Sequence, residues 1–226
     1  MPAPHHFDAV LFDLDGTLVE TAPEITDATN DLLHQLGLPP VTQLQIDGWI
    51  GHGTRELLVQ ALANVRHLPE AQIRSDEAMP SIAAQFDRHY HRRCGTRSQL
   101  YPHVQAALQH LRNQGIRVAV VTNKEGRHTE RVLTAHGLTP LLDCVVSGDS
   151  LPTKKPDPAG IHHCLQQWHI APARALFVGD SRIDIATARN AGVSVWALPY
   201  GYNMGAPVAD SQPDRVIDDL RALLDF

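Results

Sequence analysis

Three short apolar runs, each ending in residues suited to chemistry, constrain this chain more than any other feature. Ala9-Val-Leu-Phe12 runs into Asp13 and Asp15, Val118-Ala-Val-Val121 into Thr122 and Asn123, and Ala175-Leu-Phe-Val178 into Asp180 and Asp184. A continuous apolar run bounded by turn residues marks a strand buried on both faces, hence a parallel sheet covered by helices. Helical patterns separate the runs. Val104, Ala107, Leu108 and Leu111 share one face ahead of Gly115, and Val132, Leu133 and Ala135 precede Gly137, both glycines at helix C′ positions. This alternation predicts a doubly wound, Rossmann-like α/β core with a parallel sheet, and further strands at Cys144-Val-Val146, Val193-Ser-Val-Trp196 and Arg215-Val-Ile217.

Residues 19–92 show no such strands, and the pattern predicts a helical insert there, leaving 1–18 and 93–226 as the α/β core. The insert opens on Thr21-Ala-Pro-Glu24, which has the spacing of a capping box. Ile25, Ala28, Leu32, Leu33 and Leu36 then line one face until Gly37. Further helices are expected over 54–64 and 81–92, with Pro69 and Pro80 as breaks.

Composition narrows the partners. The three cysteines among 226 residues have no C-x-x-C spacing, which fits a reducing compartment, so a cytoplasmic location is expected. The opening Met1-Pro-Ala-Pro-His-His lacks the basic and apolar regions of a targeting signal, and no segment approaches the ~20 apolar residues of a membrane span. A net charge of −6 with scattered lysine and arginine argues against nucleic acid and leaves a small molecule as the expected partner.

In an open α/β sheet the carboxyl ends of the strands share one edge, where ligands bind. Asp13, Asp15, Thr122, Asn123, Asp180 and Asp184 would therefore meet, joined by Lys155 from the loop Thr153-Lys-Lys-Pro-Asp-Pro158. Carboxylates at ~4 Å repel by about 4 kcal/mol at intermediate dielectric, so Asp13 and Asp15 call for a divalent cation. Oxygen ligands without a histidine at ligand spacing favour magnesium, with Asp180 as the natural third carboxylate. Thr122 and Lys155 suit the non-bridging oxygens of a phosphoryl group, while Ser181 and Asp184 would support them from behind. Each feature also has an ordinary structural reading: an Asx-turn at Asp13-Leu-Asp-Gly-Thr17, a strand-end threonine, a solvated Lys154-Lys155 pair, and a helix-dipole role for Asp184.

Taken together the motifs resemble those of the haloacid dehalogenase superfamily: Asp13-Leu-Asp-Gly-Thr17, Val121-Thr122-Asn123, Lys155-Pro156, and Gly179-Asp180 with Asp184 follow its four motifs in order. The resemblance implies Asp13 as nucleophile, Asp15 as acid and base, Thr122 and Lys155 as phosphate ligands, and magnesium held by Asp13, Asp180 and the Asp15 backbone carbonyl. It also implies that the insert is a cap closing over the site. An aspartate at position 15 favours phosphatases and phosphomutases over dehalogenases. Trp49-Ile-Gly-His-Gly-Thr-Arg55, Gly179-Asp-Ser-Arg-Ile-Asp184 and Pro199-Tyr-Gly-Tyr-Asn203 are similar to stretches of the superfamily's bacterial phosphoglycolate phosphatases, which implies 2-phosphoglycolate as substrate.

Gly51 and Gly53 would let backbone approach a ligand, and His52 and Arg55 would recognise its carboxylate. The same string also reads as a tight turn with an exposed arginine. The same chemistry would serve a sugar phosphate, a nucleotide or a pyrophosphate. A phosphomutase, or a phosphate-binding protein without turnover, also fits the motifs, though less well. A monomer or homodimer is expected. His162-His163-Cys164 with His169, and His89, His91 and Cys94, lack the spacing of a metal site.

Overall fold

The computed structural model describes residues 7–225, so the opening segment read for targeting signals and the final residue lie outside the described residues. Alternation of the chain between two apolar layers organises the fold. The first strand, β1 (Ala9–Phe12), sends Val10 and Phe12 into one core and Ala9 and Leu11 into the other, as the period of two requires. After it come a short strand β2 (Val19–Glu20) and five helices: α1 (Ala22–Gln35), α2 (Gln43–Asp47), α3 (Thr54–Arg66), α4 (Glu70–Arg74) and α5 (Met79–Arg93). The chain returns through β3 (Gln99–Leu100) and α6 (Val104–Asn113) to β4 (Arg117–Val121), α7 (Gly126–Ala135) and β5 (Cys144–Val146). It ends with α8 (Ala159–Trp168), β6 (Ala175–Gly179), α9 (Arg182–Ala191), β7 (Ser194–Ala197) and β8 (Arg215–Val216).

Six strands form one sheet in the order β5-β4-β1-β6-β7-β8, with every pairing parallel. β1 lies where the strand order reverses, the place at which such sheets open a crevice. Phe12 is in register with Val120 on one side and Val178 on the other. The three chains therefore leave the sheet together, and the polar residues after each strand emerge at one edge. Apolar residues of α8 and α9 cover one face; α6 and the helices before it cover the other.

Two local expectations are corrected. The Thr21–Glu24 capping box is not made: Thr21 has a helical backbone and no side-chain cap. Its hydroxyl donates to Asp15 at 2.7 Å, and Glu24 accepts the Gly95 and Ser98 amides at 2.8 and 3.1 Å. A capping box instead opens α2, between Thr42 and Gln45. Pro80 does not break a helix; it occupies the first turn of α5, where an absent N–H leaves no intrahelical bond unmade. β2 and β3 form an antiparallel ribbon too short to show periodicity. Among the described residues no helix is long and apolar enough to cross a membrane.

Candidate active site

The carboxylate of Asp13 projects from the end of β1, and its amide is held by the Val178 carbonyl at 3.0 Å. Lys155 Nζ lies 2.7 Å from an Asp13 oxygen and 2.7 Å from an Asp184 oxygen. All three side chains are buried. Burial pushes the Asp13 pKa up to about 6 even though Lys155 opposes the shift. Burial works against the charge on Lys155 as well, but the two carboxylates outweigh it and hold its pKa above the ordinary value.

Asp184 stands at the third position of α9 and completes a capping box with Ser181. One of its oxygens takes Lys155, and the other accepts the Asp180 amide, the Ser181 amide and the Ser181 hydroxyl at 3.2, 3.0 and 2.6 Å. Asp180, at the end of β6, accepts from the Thr17 hydroxyl and the Tyr202 amide. Its pKa is raised by burial and then by Asp184 and Asp13. Gly16, at φ +90°, and Gly201 pack so closely on this carboxylate that a Cβ at either would collide with it. Ligand oxygens of Asp13, Asp180 and Asp184 lie within 4.8 Å of one another. Crowded, buried, partly uncompensated carboxylates are the donor set of a hard divalent cation. Asp184 is already saturated by four donors, which leaves Asp13 and Asp180 as the carboxylates with capacity for it.

Asp15 is oriented differently. Its carboxylate accepts the Thr21 hydroxyl at 2.7 Å and takes Lys124 Nζ at 2.9 and 3.1 Å. The Lys124 ammonium is buried 4.7 Å from the centroid of the Tyr90 ring. Burial alone would lower its pKa, but Asp15, with Cys94 and Glu24, more than offsets this and keeps it charged. Thr122 accepts the Lys124 amide at 3.2 Å, and Asn123 donates its amide group to the Gly51 and Lys155 carbonyls at 2.9 and 3.0 Å.

These residues line a cavity of ≈ 500 Å³, mouth included, walled on its apolar side by Ile25, Leu57, Phe86 and Tyr90. The structure brings Asp13, Asp15, Thr122, Asn123, Gly51 and Gly53 onto this cavity, with Lys155, Asp180, Ser181 and Asp184 clustered behind Asp13. It does not bring His52 and Arg55 there. Arg55 is exposed and donates to the Arg74 carbonyl at 3.2 Å, because Thr54 and Leu57 occupy the cavity-facing side of the first turn of α3. The His52 ring is half-buried, its pKa lowered by burial and by Arg182, and its carbonyl accepts Lys154 at 2.7 Å. Sequence reasoning passed over Lys124, Tyr90 and Glu125, and read Thr21 as a helix cap where it serves Asp15. The available signal was a lysine directly after the second strand-end motif.

Fold and site define a hydrolase class. Residues 10–198 match the haloacid dehalogenase-like hydrolase family, and the chain belongs to that family. Within it, the chain is 39% identical over 214 residues to a phosphoglycolate phosphatase of Nitrosococcus oceani, covering 94% of this chain and 93% of the relative. It is 39% identical over 217 residues to one of Vibrio vulnificus, covering 96% and 94%. A crystal structure of a predicted phosphoglycolate phosphatase from Haemophilus somnus superposes with a TM-score of 0.91 at 36% identity, covering 99% of both chains.

Proposed function

We propose that the protein is a magnesium-dependent phosphatase that hydrolyses 2-phosphoglycolate to glycolate and phosphate in the cytoplasm. The observation that carries the reading is the buried cluster of Asp13, Lys155, Asp180 and Asp184 at the switch point of the sheet. The names of the similar proteins support the substrate, and three free cysteines support the reducing compartment.

In this reading Asp13 attacks phosphorus, forming an aspartyl phosphate as the ester bond breaks, and Asp15 gives its proton to the departing oxygen. Asp15 then takes a proton from water as it displaces Asp13 from phosphorus. Lys155, fixed by Asp184, holds the Asp13 carboxylate in place and balances phosphoryl charge, and Thr122 binds a non-bridging oxygen. Magnesium, when held by Asp13, Asp180 and the Asp15 carbonyl, supplies positive charge to a phosphoryl group among carboxylates. Residues 19–92 act as the cap over the core of 1–18 and 93–226, and exclude water through the apolar wall of α1, α3 and α5.

Phosphate release measured across small phosphate esters tests this. Release from 2-phosphoglycolate is expected with magnesium and is expected to stop in excess chelator, and Asp13→Asn should abolish turnover while keeping a native circular dichroism spectrum. Full activity of the variant, or undiminished activity in chelator, would remove the mechanism.

A further inference from the structure

With Arg55 turned away from the cavity and His52 off its lining, the carboxylate of the proposed substrate needs another partner. We propose that Lys124 recognises it, and that the site selects phosphate esters whose second anionic group lies close to the ester oxygen. The inference rests on the phosphatase reading and deepens it.

Charge makes the first argument. Among the described residues lining the cavity, Lys124 is the one cationic side chain, beside the acids Asp13, Asp15 and Glu125. A phosphoryl group would meet Thr122, Lys155 and any divalent cation held by Asp13 and Asp180. A carboxylate entering with it would face Asp15 and Glu125 in a space walled by Ile25, Leu57, Phe86 and Tyr90, where unscreened repulsion is strong. It needs its own cation, and a buried ammonium bound to a carboxylate makes a strong charge-assisted contact.

Donor capacity makes the second. An ammonium has three N–H groups. Asp15 takes two of them, and among the described residues the third has no hydrogen-bond acceptor. The Tyr90 ring beneath Nζ keeps the ammonium from swinging away.

Position makes the third. Asp15 must reach the ester oxygen, and Lys124 lies one hydrogen bond beyond Asp15. Lys124 Nζ is thus within two hydrogen-bond lengths of the ester oxygen, and a group that it contacts within three, roughly 9 Å at full stretch. The Lys124 amide is also bound to the Thr122 hydroxyl oxygen, so the phosphate-binding and anion-reading residues form one rigid turn.

The test compares kcat/KM for 2-phosphoglycolate and for ethyl phosphate, which lacks the carboxylate. Lys124→Met should reduce the ratio between them by about 10- to 100-fold, the effect of losing a hydrogen bond to a charged group, and Lys124→Arg should retain more of it. An unchanged ratio, both esters slowing by the same factor, would mean that Lys124 acts only through Asp15, and the proposal would fall. Should Lys124→Met not fold, the wild-type protein still decides. Its preference over ethyl phosphate should shrink as methylenes are inserted, from 2-phosphoglycolate to 3-phosphooxypropanoate and 4-phosphooxybutanoate. Equal kcat/KM for all four esters would overturn the proposal and leave the phosphatase reading standing, whereas no release from any ester would overturn both.

Discussion

Asp184 is fully buried, yet it touches no part of the cavity; its work is to hold others. Replacing it by alanine would leave Lys155 with Asp13 as its one counter-charge and would orphan the Asp180 amide, the Ser181 amide and the Ser181 hydroxyl. Breaking one side of a buried ion pair costs about 3–5 kcal/mol. Asp184→Ala should lose stability in that range in urea unfolding, with Asp184→Asn losing less because its amide oxygen can still accept. Equal stability of Asp184→Ala and wild type would show that the pair is solvated. This residue was legible in the sequence because its capping spacing and its distance from Asp180 lie within one short string. Lys124 was not, since a lysine after a strand reads as solvated until Tyr90, 34 positions earlier, is seen to cover it. Arg55 misled for a related reason: glycines mark where backbone approaches a ligand, but rotation along α3 decides which side chain follows it there.

At the level of elements, the core strands were legible because a buried parallel strand writes itself as a contiguous apolar run. All six sheet strands fall within a residue or two of the runs that predict them. The misread start of α1 shows the limit of local rules. Thr21 and Glu24 have capping-box spacing, but tertiary partners outcompete the helix end: Asp15 takes the hydroxyl, and the chain entering β3 takes the carboxylate. The α1 start is served from elsewhere, the Tyr202 hydroxyl accepting the Thr21 and Ala22 amides at 3.1 and 3.0 Å. Glu24 therefore staples α1 to the segment between α5 and β3. Glu24→Ala should destabilise the protein by about 1–3 kcal/mol, since it leaves two amides without an acceptor. Hydrogen exchange supplies the specific reading: the Gly95 and Ser98 amides should lose protection beyond the change in global stability. Unaltered protection at both would assign Glu24 to local helix capping after all.

Across the whole molecule, one apolar cluster runs from the sheet through α6 into α1, α3 and α5, so the helical segment and the sheet share a core. Polar ties join them around the cavity: Thr54 to Glu125 at 2.7 Å, Lys154 to the His52 carbonyl at 2.7 Å, and Asn123 to the Gly51 carbonyl at 2.9 Å. None of these pairings could be read from the sequence, because each joins residues 70 or more positions apart and two of the three end on a backbone carbonyl. The tie with the clearest consequence is His128 of α7, which is 1% exposed. Its Nε2 lies 2.8 Å from Asp87 of α5, and its ring centroid 4.6 Å from that of Tyr90. Burial, then Lys124, push its pKa down from 6.5 to about 4, and Asp87 and Glu125 only partly oppose them. The folded protein thus prefers neutral imidazole, while the unfolded chain takes up a proton near pH 6.5. The contribution of His128 to stability is complete above that pH and is lost as pH falls toward about 4. One pKa unit corresponds to about 1.4 kcal/mol, so the full effect is on the order of 3 kcal/mol. Other groups titrate in the same range, and the comparison that isolates this one is the pH dependence of urea unfolding for wild type against His128→Gln. Between pH 7 and pH 4.5 the wild type should lose stability more steeply than the variant, whatever the variant's stability at pH 7. Parallel curves would mean that Asp87 holds His128 as a charged pair in the fold, and that the joint between α5 and α7 is an ion pair insensitive to acid in this range.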